Sequence, residues 1–134
     1  MVDGEVLHID PNVSEHTGTL AAKGIQVITA GTGIVHNEIN NSDNDPMRAL
    51  QIWFRPRANN LAPAYLKKTL NSASHTDLFE LVLAPDGADG ALVAQQDASM
   101  MLRFLHTCAK HHLSTPNNRQ RRLCFCDQRF SKCR

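Results

Sequence analysis

Thr29-Ala-Gly-Thr-Gly-Ile-Val-His-Asn-Glu-Ile39 carries the turn and the chemistry around which the rest of the chain can be read. Just before it, Gly24-Ile-Gln-Val-Ile-Thr-Ala30 alternates apolar and polar side chains and is rich in β-branched residues, the pattern of a half-buried strand. Gly31-Thr-Gly33 punctuates that strand with residues that tolerate the positive φ of a tight turn. Ile34-Val-His-Asn-Glu-Ile39 resumes an extended pattern, and Asn40-Asn-Ser-Asp-Asn-Asp-Pro46 is dense in turn formers. Two strands over residues 24–39, joined at Gly31-Thr-Gly33, are therefore expected. Side chains alternate between the faces of a strand, so His36 and Glu38 share a face, expected to turn toward the interior, opposite Val35, Asn37 and Ile39.

Farther along, Leu50-Gln-Ile-Trp-Phe54 reads as an apolar strand, followed by an irregular Arg/Pro/Asn segment that reaches Tyr65. Ala64 to Leu70 is the only stretch suited to a short helix. Leu78-Phe-Glu-Leu-Val-Leu83 is a strand ending at Ala84-Pro-Asp-Gly87, and Gly90-Ala-Leu-Val-Ala94 is another short strand. Many short strands with Gly/Pro turns predict an all-β sandwich or barrel, and pattern alone does not choose between them. Trp53, the single tryptophan, is expected in the core, and Lys67-Lys68 on a solvated face.

The 134 residues, 42% of them apolar, suit one domain. No apolar run nears the roughly 20 residues that span a bilayer, and Asp3 and Glu5 stand where a signal peptide would be basic, so the expected compartment is the cytoplasm. The formal charge of +1 conceals a division: residues 1–102 carry six Lys/Arg against twelve Asp/Glu, and residues 103–134 carry eight against Asp127 alone. Cys108, Cys124, Cys126 and Cys133 all lie in that basic segment. The division separates a β body, residues 1–102, from a basic Cys/His-rich tail, residues 103–134.

An imidazole and a carboxylate on one strand face can meet a single cation, and that donor pair suits a first-row metal, Fe(II) above all. His-x-Glu spacing taken alone is more often a solvated strand face than a metal site. The residues around it are more specific. Thr29-Ala-Gly-Thr-Gly-Ile-Val-His-Asn-Glu38 is similar to the signature of the pirin family, in which a Thr/Ser-Ala-Gly-x-Gly-Ile-x-His-x-Glu run supplies two metal ligands. The resemblance continues in order through Leu50-Gln-Ile-Trp53, Pro63-Ala-Tyr65, Leu83-Ala-Pro-Asp86, Asp89-Gly90 and Gln96-Asp97, covering roughly residues 1–100.

The resemblance implies a cupin, a jelly-roll β-barrel, of the bicupin type whose first barrel holds a metal, usually iron. Some members resemble quercetin 2,3-dioxygenase and open a flavonol ring with O2; others are transcription coregulators. The family's site takes four protein ligands, two of them matched here by His36 and Glu38. The other two belong to a His-x-His pair upstream of a segment resembling Val2-Asp-Gly-Glu-Val-Leu-His-Ile-Asp10, so the barrel is expected to be incomplete at its N-terminal end. His8 falls where the family carries a histidine that is not a ligand, and His16 lies in a Ser/Glu/Thr/Gly loop; both are expected at the surface. Beyond Asp97 the likeness ends, and truncation with a shifted reading frame accounts for an irregular tail without evolved function.

In that tail Cys124-x-Cys126, with Cys133, Cys108, His106, His111 and His112, lacks the paired Cys-x2-Cys spacing of zinc sites. Arg119-Gln-Arg-Arg122 lacks interleaved aromatic residues, so nucleic-acid binding is not expected, and disulfides are not expected in a cytoplasmic protein. The resulting expectation is a pirin-like cupin derived from an iron-dependent quercetin 2,3-dioxygenase, with no separate catalytic base named. His36 and Glu38 hold a divalent metal, Fe(II), weakly because two family ligands are absent. Its ligands would be a flavonol-like molecule and O2. The alternatives are a metal-binding interaction module with a protein partner, acting as a coregulator, or an inactive remnant. Exposed strand edges favour self-association.

Overall fold

The computed structural model describes Met1, residues 3–70 and residues 79–103. These form eight strands: β1 (Glu5–Ile9), β2 (Gly18–Ala21), β3 (Gly24–Thr29), β4 (Asn37–Asn40), β5 (Ala64–Thr69), β6 (Glu80–Ala84), β7 (Leu92–Val93) and β8 (Met100–Leu102). Two single 3-10 turns, Ser14–His16 and Ala88–Gly90, are the only helical pieces among the described residues. The all-β expectation holds, and no described helix is long and apolar enough to cross a membrane. The basic tail beyond Arg103, with its cysteines and the zinc and phosphate readings attached to it, lies outside the described residues.

The strands pair in three sheets, ordered β2-β1-β4, β3-β5 and β7-β6-β8. Alternation on β1 turns Val6 and His8 inward, and Val6 faces the buried Leu20 of β2. Strand β6 is apolar on both faces: Val82, Leu83 and Ala84 are all buried, as suits a central strand covered from both sides. Its register against β8 slips between Leu81 and Leu83, a bulge centred on Val82. Leu70, Val82, Leu83 and Ala94 form the core, with Ile25, Val27, Leu92, Met100 and Leu102 packed on it.

Several sequence expectations are corrected. Residues 64–69 are strand, not helix: Ala64–Thr69 pairs antiparallel with β3 along its whole length, from Thr29↔Ala64 to Gly24↔Thr69. Helix-forming Ala, Leu and Lys yield there to a ladder that satisfies every step of the neighbouring strand. Leu50–Phe54 forms no strand, and its side chains are exposed; Trp53 stands 87% open and is not a core residue. Lys67 is exposed as expected, but Lys68 pairs with Glu80 at 3.1 Å and reaches the Gly90 carbonyl at 3.2 Å, tying β5 to the third sheet.

The segment 24–39 is two strands, as read, but they are not partners. Strand β3 pairs with β5, and β4 pairs with β1. The second strand starts at Asn37, so His36 lies in the connection just ahead of it. Within that connection Gly33 N–H donates to the Ala30 carbonyl at 2.8 Å, and Thr32 N–H to the Leu61 carbonyl at 3.0 Å. Gly31 sits at φ 55°, and a Cβ there would stand 2.1 Å from the Leu61 oxygen. Only glycine lets the two backbones approach this closely.

Candidate metal centre

Strand β1 lies between β2 and β4, and its register against β4 places His8 opposite Glu38 and Ile9 opposite Asn37. Opposed residues of an antiparallel pair project to the same face. His36, one residue before β4, enters from the side, its ring stacked on that of His8 with centroids 4.9 Å apart and planes at 24°. One donor atom each from His8, His36 and Glu38 lie within 4.8 Å of one another. His36 and Glu38 thus meet on one side of the chain, as alternation requires, although the side opens to solvent at Glu38.

His8 corrects the sequence reading outright: it is not a surface histidine but is 0% exposed. It packs against His36 and against the Tyr65 ring, whose centroid is 4.8 Å away. The reason it escaped notice is local. Leu7 and Ile9 are as apolar as Val6, so alternation along β1 did not show which face was inside. His16, read as a surface residue, is half-buried; its Nδ1 lies 3.1 Å from Asp10 Oδ2, and its ring packs on Tyr65 at 5.6 Å.

Three of the imidazole nitrogens are not otherwise engaged. Buried His8 Nδ1 and Nε2 and His36 Nδ1 have no hydrogen-bond partner. His8 Nδ1 is 3.8 Å from Glu38 Oε1, too long for a hydrogen bond. A buried polar atom left without a partner costs about 1–3 kcal/mol, and an ion bound between these groups supplies what they lack. Burial above all, with His36 adding to it and the carboxylates of Glu38 and Asp10 opposing it, lowers the His8 imidazole from its ordinary value, a shift toward the neutral form that binds a metal. Two imidazoles and a carboxylate are also the donor set of non-haem iron sites. The residues fit a divalent metal.

A second layer supports the carboxylate. Gln26 on β3 donates through Nε2 to Glu38 Oε1, and Tyr65 on β5 donates from its hydroxyl to Gln26 Oε1 at 3.1 Å. Burial, and the Glu38 charge after it, raise the Tyr65 hydroxyl above its ordinary value, so it remains a donor. Neither Gln26 nor Tyr65 was singled out from the sequence. Gln26 is the polar residue of the β3 alternation, and only the β3-β5 ladder brings Tyr65 near it.

The pirin family model matches residues 1–54, which include His8, His36 and Glu38. Over that stretch, about two fifths of its length, the chain is similar to pirins. It is 32% identical over 100 residues to quercetin 2,3-dioxygenase of Escherichia coli (strain K12), covering 75% of this chain and 41% of that protein. It is 33% identical, with the same coverage, to a putative quercetin 2,3-dioxygenase of Pasteurella multocida (strain Pm70). The crystal structure of bacterial pirin YhhW in complex with nickel(II), from Escherichia coli, superimposes with a TM-score of 0.65 at 33% identity, over 73% of this chain and 40% of that one. The described strands are therefore those of a pirin cupin fold, and the chain spans about two fifths of the length of these relatives.

Proposed function

We propose that this chain is a metal-binding pirin of quercetin 2,3-dioxygenase type, with His36 and Glu38 as ligands to a divalent ion, Fe(II). The observation that carries the reading is the convergence of these two side chains beside a buried His36 Nδ1 that has no other partner. The relatives named as quercetin 2,3-dioxygenases point to a flavonol and O2 as the substrates. When bound, the ion supplies Lewis-acid polarisation of a substrate oxygen. The chain's own part is to fix the ligands: Gln26 orients the Glu38 carboxylate and Tyr65 orients Gln26. The exposed side of Glu38 leaves the centre open to a planar molecule arriving from solvent.

Metal analysis after desalting, paired with oxygen consumption in the presence of quercetin, tests the reading. The result expected is bound iron, with any turnover abolished in His36→Ala. Iron retained equally by His36→Ala would overturn it.

One observation favours a second reading, a metal-binding module that contacts a protein partner. Leu50, Trp53 and Phe54 present apolar surface to solvent within five residues, more than scattered exposure accounts for. Iron binding without quercetin-dependent oxygen uptake, together with a pull-down lost in Trp53→Ala, would select this reading over the enzymatic one.

A further inference from the structure

We infer that His8 is a third metal donor in this chain, closing a centre of two imidazoles and one carboxylate with His36 and Glu38. The inference rests on the proposed metal reading of those two residues. It also departs from the family resemblance, in which the matching histidine is not a ligand.

Four observations carry it. His8 is the direct register partner of Glu38 across the β1/β4 ladder, so backbone geometry alone holds the imidazole on the carboxylate's side. Its side chain has no contact with solvent, yet neither ring nitrogen has a hydrogen-bond partner. A histidine kept in a core for structural reasons donates or accepts there; this one does neither. Its ring packs against both His36 and Tyr65, with centroids 4.9 and 4.8 Å away, contacts that leave its nitrogens without a hydrogen bond. The three donor atoms lie within 4.8 Å of one another. A tetrahedral ion with ligand bonds of about 2.1 Å spaces its donors by roughly 3.4 Å, so side-chain adjustment of about 1 Å closes the set.

The consequence is a change of class for the site. Two donors hold an ion loosely, whereas three that span one face hold it while leaving coordination positions for exogenous ligands. The occupant is a divalent cation that accepts mixed nitrogen and oxygen donors, such as Fe(II), Ni(II) or Zn(II). The three donors come from β1, β4 and the residue before β4.

Zinc(II) serves as the probe because it is diamagnetic. The full chain, labelled with 15N and with its cysteines alkylated so that thiolates do not compete, is titrated with zinc. The imidazole nitrogens of all seven histidines, assigned through the backbone, are followed by long-range 1H–15N correlation. His8 and His36 are expected to move together to metal-bound positions and saturate at one equivalent. In Glu38→Gln both movements should require about tenfold more zinc. Movement of His36 with His8 unchanged would overturn the inference and leave the His36/Glu38 reading standing. No movement of His36 would overturn both. His8→Phe gives an independent arm: it should bind zinc about tenfold or more weakly while keeping the strand signals of the parent. Unchanged affinity in that variant would refute the assignment.

Discussion

His8 and Glu38 face each other across the β1/β4 ladder as register partners, with imidazole Nδ1 3.8 Å from carboxylate Oε1. That spacing is too long for a hydrogen bond and too short for the pair to be independent. It leaves both groups in position for something between them. The centre is thus a product of strand register: a slip of one residue would send His8 to the opposite face.

The core is predicted to depend on β6 and to be indifferent to Trp53. Leu83 is buried in the main cluster, so Leu83→Ala should destabilise by roughly 2–5 kcal/mol through lost burial and a residual cavity. Trp53→Ala removes a far larger side chain from an exposed position and should change stability by only about 0.5 kcal/mol. Urea unfolding of the two variants beside the parent checks the contrast. A Trp53 variant as unstable as the Leu83 one would restore the tryptophan to the core.

Gly31→Ala should destabilise by about 1–3 kcal/mol, because the new Cβ meets the Leu61 oxygen and the residue must also hold a positive φ. Gly33 also has positive φ but meets nothing within 4 Å, so Gly33→Ala should cost less. Thermal unfolding of the two alanine variants separates steric approach from backbone conformation. Equal losses would show that the contact with Leu61 carries no weight.

Asp10 sets an acid limit on the local structure that leads into β2. Its carboxylate accepts backbone N–H bonds from Asn12 at 2.9 Å and Val13 at 3.1 Å and faces His16 Nδ1. The Asn12 bond above all, with His16 and Val13 adding to it, holds the carboxyl below its ordinary value of 3.8. A depressed folded value means that the unfolded chain takes up the proton first. The stabilisation is therefore whole above 3.8 and is lost as pH falls below it, through the folded value. Asp10→Asn should be less stable than the parent near neutral pH, and the gap should narrow toward acid. Denaturant unfolding at a series of pH values measures this, and a gap constant with pH would contradict it.

Much of this was legible in the sequence because it depended on period and on short motifs. Gly24–Thr29 alternates as a strand and is one. The shared side of His36 and Glu38 followed from their spacing, even though His36 proved to lie just outside β4. What escaped depends on distant pairing. Ala64-Tyr-Leu-Lys-Lys-Thr69 has helical propensity, but propensities of a few tenths of a kcal/mol per residue yield to a six-residue ladder with β3. Leu50–Phe54 has strand composition, yet composition does not supply a neighbouring strand. His8 had no local mark, since its burial is decided by β2 and β4 on either side of β1.

The support beneath Glu38 is predicted to matter for metal affinity more than for stability. Gln26 touches the carboxylate directly, and the Tyr65 hydroxyl reaches it only through Gln26, so the two substitutions form a graded series. Gln26→Leu frees the carboxylate to rotate and leaves the Tyr65 hydroxyl without its acceptor; metal affinity should fall roughly 10–100-fold, the usual cost of losing an outer-shell partner. Tyr65→Phe keeps the ring that packs on His8 and His16 and removes only the hydroxyl. Its loss of affinity should be smaller, because Gln26 can still reach Glu38. Neither change cuts into the Leu70, Val82, Leu83 and Ala94 cluster, so unfolding midpoints without metal should stay close to the parent's. Zinc titration and denaturant unfolding of the same two variants separate positioning from packing. If affinity were unchanged in Gln26→Leu, the bond to Glu38 would have no role in orienting the ligand. If affinity and stability instead fell in proportion, the pair would serve to hold β3 and β5 rather than the metal centre.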